Sequence, residues 1–202
     1  ISQDQRIQLL LIGFVFNAFL EGAAGFGVPI AICAVLLTQL GFKPLEAAMY
    51  CLVGNAAAGA YGAVGIPVAI VDTLNLSGDV SATEVALIGN LTLGFISFFV
   101  PFLLIFMIDG LKGIKETLPS ILVVSVTYTL LQVIMTSFAG PELADIIPGL
   151  AAMVALALFS SKFQPQNIFR LQKDEEPKHV TKHSFQKIVY AWSPFIILTV
   201  IV

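Results

Sequence analysis

Long apolar runs separated by short polar interruptions divide the chain, and two of these runs are broken from within. The first, Ile7–Leu40, is too long for one straight span of about 20 residues. Its centre, Phe19–Ile32 (FLEGAAGFGVPIAI), holds a carboxylate, Glu21, among Gly22, Ala23, Ala24, Gly25 and Gly27, followed by Pro29. Glycine-rich sequence is poor helix, whereas a proline suits a helical first turn. The pattern predicts a helix ending near Gly22, a non-helical tip over Gly22–Gly27 and a second helix starting near Pro29. Glu21 lies 15 residues beyond Arg6, about 22 Å along a helix, near mid-depth of a hydrocarbon core about 30 Å thick. The stretch is either a helical hairpin or one broken crossing helix; two half-spans fit the hairpin better.

The second interrupted run is Leu45–Val71, broken by Gly54, Gly59, Gly62, Gly65 and Pro67. Asp72–Thr83 reads as a polar loop, with a capped helix start at Thr83-Glu84. Val85–Ile108 reads as a span kinked at Pro101, Asp109–Thr117 as a charged turn, and Leu118–Phe138 as a further span. Ala139–Asp145 reads as a short acidic loop and Ile146–Ser160 as a shorter span. Lys162–Lys187 is a polar segment, and Ile188–Val202 begins another span. The predicted fold is an all-α integral membrane protein: a polytopic helix bundle with a re-entrant helical hairpin and a broken transmembrane helix. Residues 7–71 form the core of the site, 83–160 further spans, 161–187 a cytoplasmic loop and 188–202 the start of another helix.

Composition agrees. The chain is 57% hydrophobic and 11% charged, against about 25% charged in soluble domains. Net charge is −3 with the charges confined to loops, so nothing points to nucleic acid. Lysines and arginines gather in 112–115 and 162–187 and are missing from 72–83 and 139–145, an alternation that puts the basic loops in the cytoplasm. Cys33 and Cys51 fall inside apolar segments and read as buried thiols. The chain starts at Ile1 without a signal peptide and stops inside an apolar run, as expected of a piece of a larger protein.

A short repeat links the two breaks. Ala24–Ile32 (AGFGVPIAI) matches Gly62–Ile70 (GAVGIPVAI), with Gly27/Gly65 and Pro29/Pro67 coinciding. Packing of glycine faces accounts for glycine enrichment but not for a Gly-x-Pro break at matching places. Unwound backbone within a membrane is tolerated where protein buries it or where it lines a wet cavity. A helix starting there offers free N–H groups and a positive dipole end. Two such starts, Val28–Ala31 and Ile66–Ala69, would make an anion site with glycines admitting the ligand to the backbone. Glu21 beside it suits a proton carrier, since burial and a neighbouring anion both disfavour its charged form. A structural glutamate bonded at the break is the plain alternative. Asn17, Asn55 and Tyr61 are candidate polar contacts, or groups satisfying the fold.

Other signals are weak. His179 and His183 are spaced i,i+4 without a third metal ligand, and Asn75-Leu-Ser77 is a chance-level sequon. No phosphate loop, catalytic triad, metal set or cofactor motif stands out.

At FLEGAAGFGVPIAI the sequence resembles the L-lactate permease family. The likeness continues through Leu40–Ala48, Tyr61–Pro67, Asp109–Pro119, Gly140–Ile146 and Gln164–Arg170. It implies a bacterial inner-membrane secondary transporter taking up lactate, and often glycolate, with protons. It also implies kinship with ion-transporter folds built from inverted repeats, of which this chain would hold one. Family members are much longer, so the other half of the transporter would complete the site; a homo-oligomer stays open. After Asn55 the family usually has threonine, with proline two residues later; here Ala56 and Ala58 stand there, and Gly59 and Tyr61 stand where valine and phenylalanine are common. The expected substrate contacts are Gly22, Ala23, Ala24, Gly25, Gly27, Asn55, Tyr61, Gly62 and Gly65, with Glu21 coupling the proton and Pro29 and Pro67 marking the breaks. A sodium-coupled organic-anion transporter and a non-transporting scaffold subunit are the competing readings.

Overall fold

The computed structural model describes residues 2–74, 80–165 and 167–171, with isolated positions 184, 186, 187, 190, 193 and 197. The sequon at 75–77, the pair His179 and His183, and most of the expected polar segment and final span lie outside the described residues. Among the described residues there is no strand. Among the residues up to 171 six α-helices carry the fold: α1 Gln5–Ala23, α2 Val28–Gln39, α3 Pro44–Asn55, α4 Ile66–Ala69, α5 Ala82–Phe138 and α6 Ile146–Lys162. α1, α5 and the stretch Pro141–Lys162 that contains α6 are long and apolar enough to cross a membrane.

α1 is the interior element. Leu9, Leu10, Phe14, Val15 and Phe19 are all fully buried, as suits a helix that is apolar all round. Over Leu9–Phe16 its turns widen to the π form, a local departure from the regular helix expected. The chain then doubles back: the Gln5 side-chain amide donates to the Leu40 carbonyl at 2.8 Å, so α1 and α2 run antiparallel and both ends of the 7–40 stretch lie together. α3 crosses α1 at glycines, because a Cβ on Gly54 would run into the Gly13 carbonyl oxygen. α6 lies on α1 at Gly149, where a Cβ would come within 2.9 Å of the Phe19 backbone. Cys33 and Cys51 are buried free thiols, as the apolar surroundings required.

α5 is two antiparallel arms, 82–109 and 111–138. Gly110 alone leaves helical geometry (φ 61°, ψ −155°), a region open almost only to glycine. The expected nine-residue turn over 109–117 is therefore a one-residue reversal, and 111–117 is helical. The backbone stays helical through Pro101, where a kink was expected, and Pro119. The N-cap is Ser81, two residues before the expected Thr83, because Ser81 and Glu84 form a reciprocal capping box. Leu91, Phe95, Phe99 and Leu103 form an exposed stripe at i,i+4 spacing on the first arm, the face such a helix offers to lipid.

One end of the bundle is tied by charge. Arg6, fully buried, pairs with Asp4 (2.7 Å), Asp109 (2.8 Å) and Glu116 (2.7 Å) and donates to the Asn167 carbonyl. Its guanidinium also lies 5.4 Å from the centre of the Phe169 ring. This joins the start of α1, the reversal in α5 and the segment after α6. Replacing Arg6 with Met is expected to cost about 3 kcal/mol, because three carboxylates lose their counter-charge. Lys43→Ala, which breaks an exposed pair with Glu46, is expected to cost under about 1 kcal/mol. Thermal unfolding of the two purified full-length variants makes the comparison.

Candidate functional site

The end of α1 and the segment after α3 are built to meet. α1 stops at Ala23 because the chain turns left-handed at Gly25 (φ 61°), Phe26 (56°) and Gly27 (80°). The carbonyls of its last turn then lack their usual partners. Two are taken by the other break: the Ala63 amide donates to the Glu21 carbonyl at 2.9 Å and the Val64 amide to the Gly22 carbonyl at 2.7 Å. To do so the second segment adopts the same conformation, with Ala63 (φ 48°), Val64 (60°) and Gly65 (69°) left-handed in succession. For an alanine and a β-branched valine that geometry is strained by roughly 1–2 kcal/mol per residue.

The sequence repeat is thus a repeat of conformation. Each left-handed triplet runs directly into a helix whose second residue is proline, Pro29 in α2 and Pro67 in α4. The triplets touch: a Cβ on Gly25 would sit 2.8 Å from the Ala63 nitrogen. A third segment closes over the second triplet, since a Cβ on Gly65 would sit 2.8 Å from the Glu142 nitrogen. Among the described residues the amides of Gly25, Phe26 and Gly27 have no hydrogen-bond partner, and Phe26 and Gly27 are exposed. The equivalent amides at 63–65 are all used internally. The two triplets share a shape, but only the first has free donors.

Glu21 is 95% buried, at the junction of these segments. Its carboxyl rests on Gly62, where a Cβ would be 2.5 Å from Oε1, and the Asn55 side chain lies near it. Glu21 Oε2 and Asn55 Oδ1 have no partner among the described residues. Asn17 donates to the carbonyls of Gly13 (3.2 Å) and Cys51 (2.8 Å), tying α1 to α3. Tyr61 is placed as a group that satisfies the fold, the second of its two expected roles. Its hydroxyl is buried against α5, within hydrogen-bond distance of the Ala86 carbonyl (3.0 Å) and Asn90 Oδ1 (3.1 Å). It anchors the unwound segment because its proton is already claimed there.

The structure adds groups that sequence reasoning passed over. Asp145, assigned to an external acidic loop, is fully buried. Tyr128 and Gln132 of α5 donate to its Oδ1 at 2.7 and 2.9 Å. α5 runs ten residues beyond Tyr128, about 15 Å, so the chain after Phe138 dips back into the bundle to reach this level. Ser97 donates to Gln132 Oε1 at 2.8 Å, and Asn90 bonds Thr136. Ala57, in the unwound segment, has its carbonyl near Ser97 and Gln132, both at 3.4 Å. The signal was in the spacing: Ser125, Tyr128, Gln132 and Thr136 share one helix face inside an apolar run.

Helices of this length and surface, enclosing a buried polar seam at two broken segments, define an all-helical membrane protein. The comparison with known sequences narrows this. The L-lactate permease profile matches residues 1–202, and the chain belongs to that family. An L-lactate permease of Halalkalibacterium halodurans is 60% identical over 203 residues, covering all of this chain and 38% of the relative. A glycolate permease of Escherichia coli is 43% identical, covering all of this chain and 38% of the relative. An L-lactate permease of the same organism is 42% identical over 98% of this chain and 36% of the relative. The chain therefore spans little more than a third of the length of these curated relatives. No solved structure matches it.

Two glycines of the junction, Gly25 and Gly62, separate stability from site geometry. Gly25→Ala meets the Ala63 backbone at a positive φ and is expected to cost about 3 kcal/mol. Gly62→Ala meets the flexible end of Glu21 and is expected to cost under about 1 kcal/mol while pushing the carboxyl aside. Thermal unfolding of full-length variants tests both: Gly25→Ala is expected to lower the midpoint and Gly62→Ala to leave it nearly unchanged.

Proposed function

We propose that this chain forms part of a proton-coupled symporter for L-lactate, glycolate and related small 2-hydroxy monocarboxylates in a bacterial plasma membrane. The supporting observation is the pairing of a buried, unpartnered carboxyl oxygen on Glu21 with unpartnered backbone amides at Gly25–Gly27, four residues along the chain. The names of the relatives, L-lactate permease and glycolate permease, agree with a carboxylate substrate.

In this reading the substrate carboxylate sits on the amides of Gly25, Phe26 and Gly27 at the positive end of α2. Gly22, Ala23 and Ala24 form the wall on the α1 side, and Gly62 and Gly65 keep the second segment close without side chains in the way. The doubled-back α1–α2 unit is a re-entrant hairpin, and the α3–α4 unit is the broken transmembrane helix of one inverted repeat. Asn55 holds the Glu21 carboxyl and reaches toward the 2-hydroxyl. Loading runs in two linked steps. A proton on Glu21 removes its repulsion of the incoming anion, and the anion in turn holds the proton on the acid. The neutral pair then crosses by alternating exposure of a fixed site, completed by the part of the transporter beyond this chain.

Vesicles carrying the full-length protein test the reading, with a pH gradient imposed in sodium-free medium and, separately, a sodium gradient at uniform pH. Wild type is expected to accumulate labelled lactate above equilibrium, and Glu21→Gln to lose accumulation. Wild-type uptake that ignores the pH gradient but follows a sodium gradient would replace proton coupling with sodium coupling. Absence of uptake under either gradient would favour the scaffold.

A further inference from the structure

We propose that Asp145 is a second proton-binding carboxyl, paired with Glu21 across Gly22, so that the coupling site is a two-acid site. The inference rests on the reading of Glu21 given above and extends it to a residue that the sequence placed in a surface loop.

Asp145 and Glu21 come from different elements and are brought together by one small residue. A Cβ on Gly22, the neighbour of Glu21, would lie 2.8 Å from the Asp145 Cβ. The two carboxyls are close enough for their charges to interact. Each has one buried oxygen without a partner among the described residues. On Asp145, Oδ1 accepts from Tyr128 and Gln132, while Oδ2 has no partner among the described residues. On Glu21, Asn55 approaches the carboxyl and Oε2 is the unpartnered atom.

The titratable groups facing Asp145 are Glu21 from α1, Tyr128 from α5 and Tyr61 from the unwound segment. None carries positive charge. The described basic residues up to Arg170 lie elsewhere: Arg6 and Lys112 are engaged around the α5 reversal, where Lys115 is exposed, Lys43 pairs with Glu46, Lys162 ends α6 and Arg170 donates to Gln3. Two buried carboxyls with no counter-cation cannot both stay ionised at acceptable cost. At least one proton resides in the pair, and the free sites for it are Asp145 Oδ2 and Glu21 Oε2. Acids coupled at this range titrate as a unit.

Gln132 is oriented to serve this purpose. The Ser97 hydroxyl donates to its Oε1, which turns Nε2 toward Asp145. Tyr128 is likewise fixed, its ring packed edge-on against Phe14 of α1 at 5.2 Å between centroids. These are positioning residues: they hold Oδ1 and leave Oδ2 to take and release the proton.

The test uses the full-length transporter in vesicles in sodium-free medium, with two readouts: accumulation of labelled lactate driven by a pH gradient, and lactate–lactate exchange without one. Asp145→Asn is expected to lose gradient-driven accumulation and retain exchange, because exchange needs no net proton movement. Tyr128→Phe is expected to retain accumulation with a displaced pH profile. Asp145→Asn that accumulates lactate like wild type overturns the proposal, as does loss of exchange and accumulation together in a variant of unchanged thermal stability. If Asp145→Asn fails to fold, Asp145→Glu decides: coupled uptake with a displaced pH profile supports the pair, and an unchanged profile overturns it. Glu21→Gln in the same vesicles separates the two claims. Normal coupling there, with Asp145→Asn uncoupled, removes the role of Glu21 and leaves that of Asp145.

Discussion

The fold depends on two carbonyls that a helix leaves behind. When α1 ends inside the bundle, the carbonyls of Glu21 and Gly22 have neither a following turn nor water to bond them, and a bare buried carbonyl costs about 1–3 kcal/mol. The amides of Ala63 and Val64 supply the bonds. That requirement dictates the left-handed path of 63–65, the glycines at 25 and 62 that permit the approach, and the seat of the Glu21 carboxyl. Remove the capping and no reason remains for an alanine and a valine to hold positive φ. The strain in one segment is thus explained by the need of another.

Legibility in the sequence followed the same division. Both breaks could be read because they are local: a glycine cluster followed by Gly-x-Pro reports its own backbone conformation, whatever surrounds it. The repeat between Ala24–Ile32 and Gly62–Ile70 was visible for the same reason, and the buried state of Glu21 followed from its place within an apolar run. Asp145 could not be placed this way. It sits beside Ala139–Leu143, whose composition is that of a surface turn, and only the descent of that segment along α5 brings it inside. Arg6 could not be placed from sequence either, because the three carboxylates it ties together include two, Asp109 and Glu116, more than 100 residues away. Tyr61 was ambiguous because a hydroxyl beside a break looks the same whether it faces ligand or a neighbouring helix.

The buried polar groups of α5 give that long helix two separate duties. Its exposed face is a run of leucine and phenylalanine. Its inner face carries Asn90, Ser97, Tyr128, Gln132 and Thr136, bonded to each other, to the unwound segment and to Asp145. Backbone that leaves helical geometry within an apolar surround needs partners of this kind. The Ala57 carbonyl and the Tyr61 hydroxyl find theirs on α5. These five polar side chains of α5 therefore gather where the main chain of the neighbouring segments is irregular.

The glycine crossing of α1 and α3 has a mechanical consequence. At Gly13 and Gly54 main chain rests on main chain, and no side-chain torsion lies between them to absorb a displacement. Asn17, one turn further along α1, bolts the same pair through the Cys51 carbonyl. Helices joined in this way resist being pulled apart but can rock, with the crossing as fulcrum. Glu21 lies one turn past Asn17 and Asn55 one residue past Gly54, so both stand on short lever arms and would swing together.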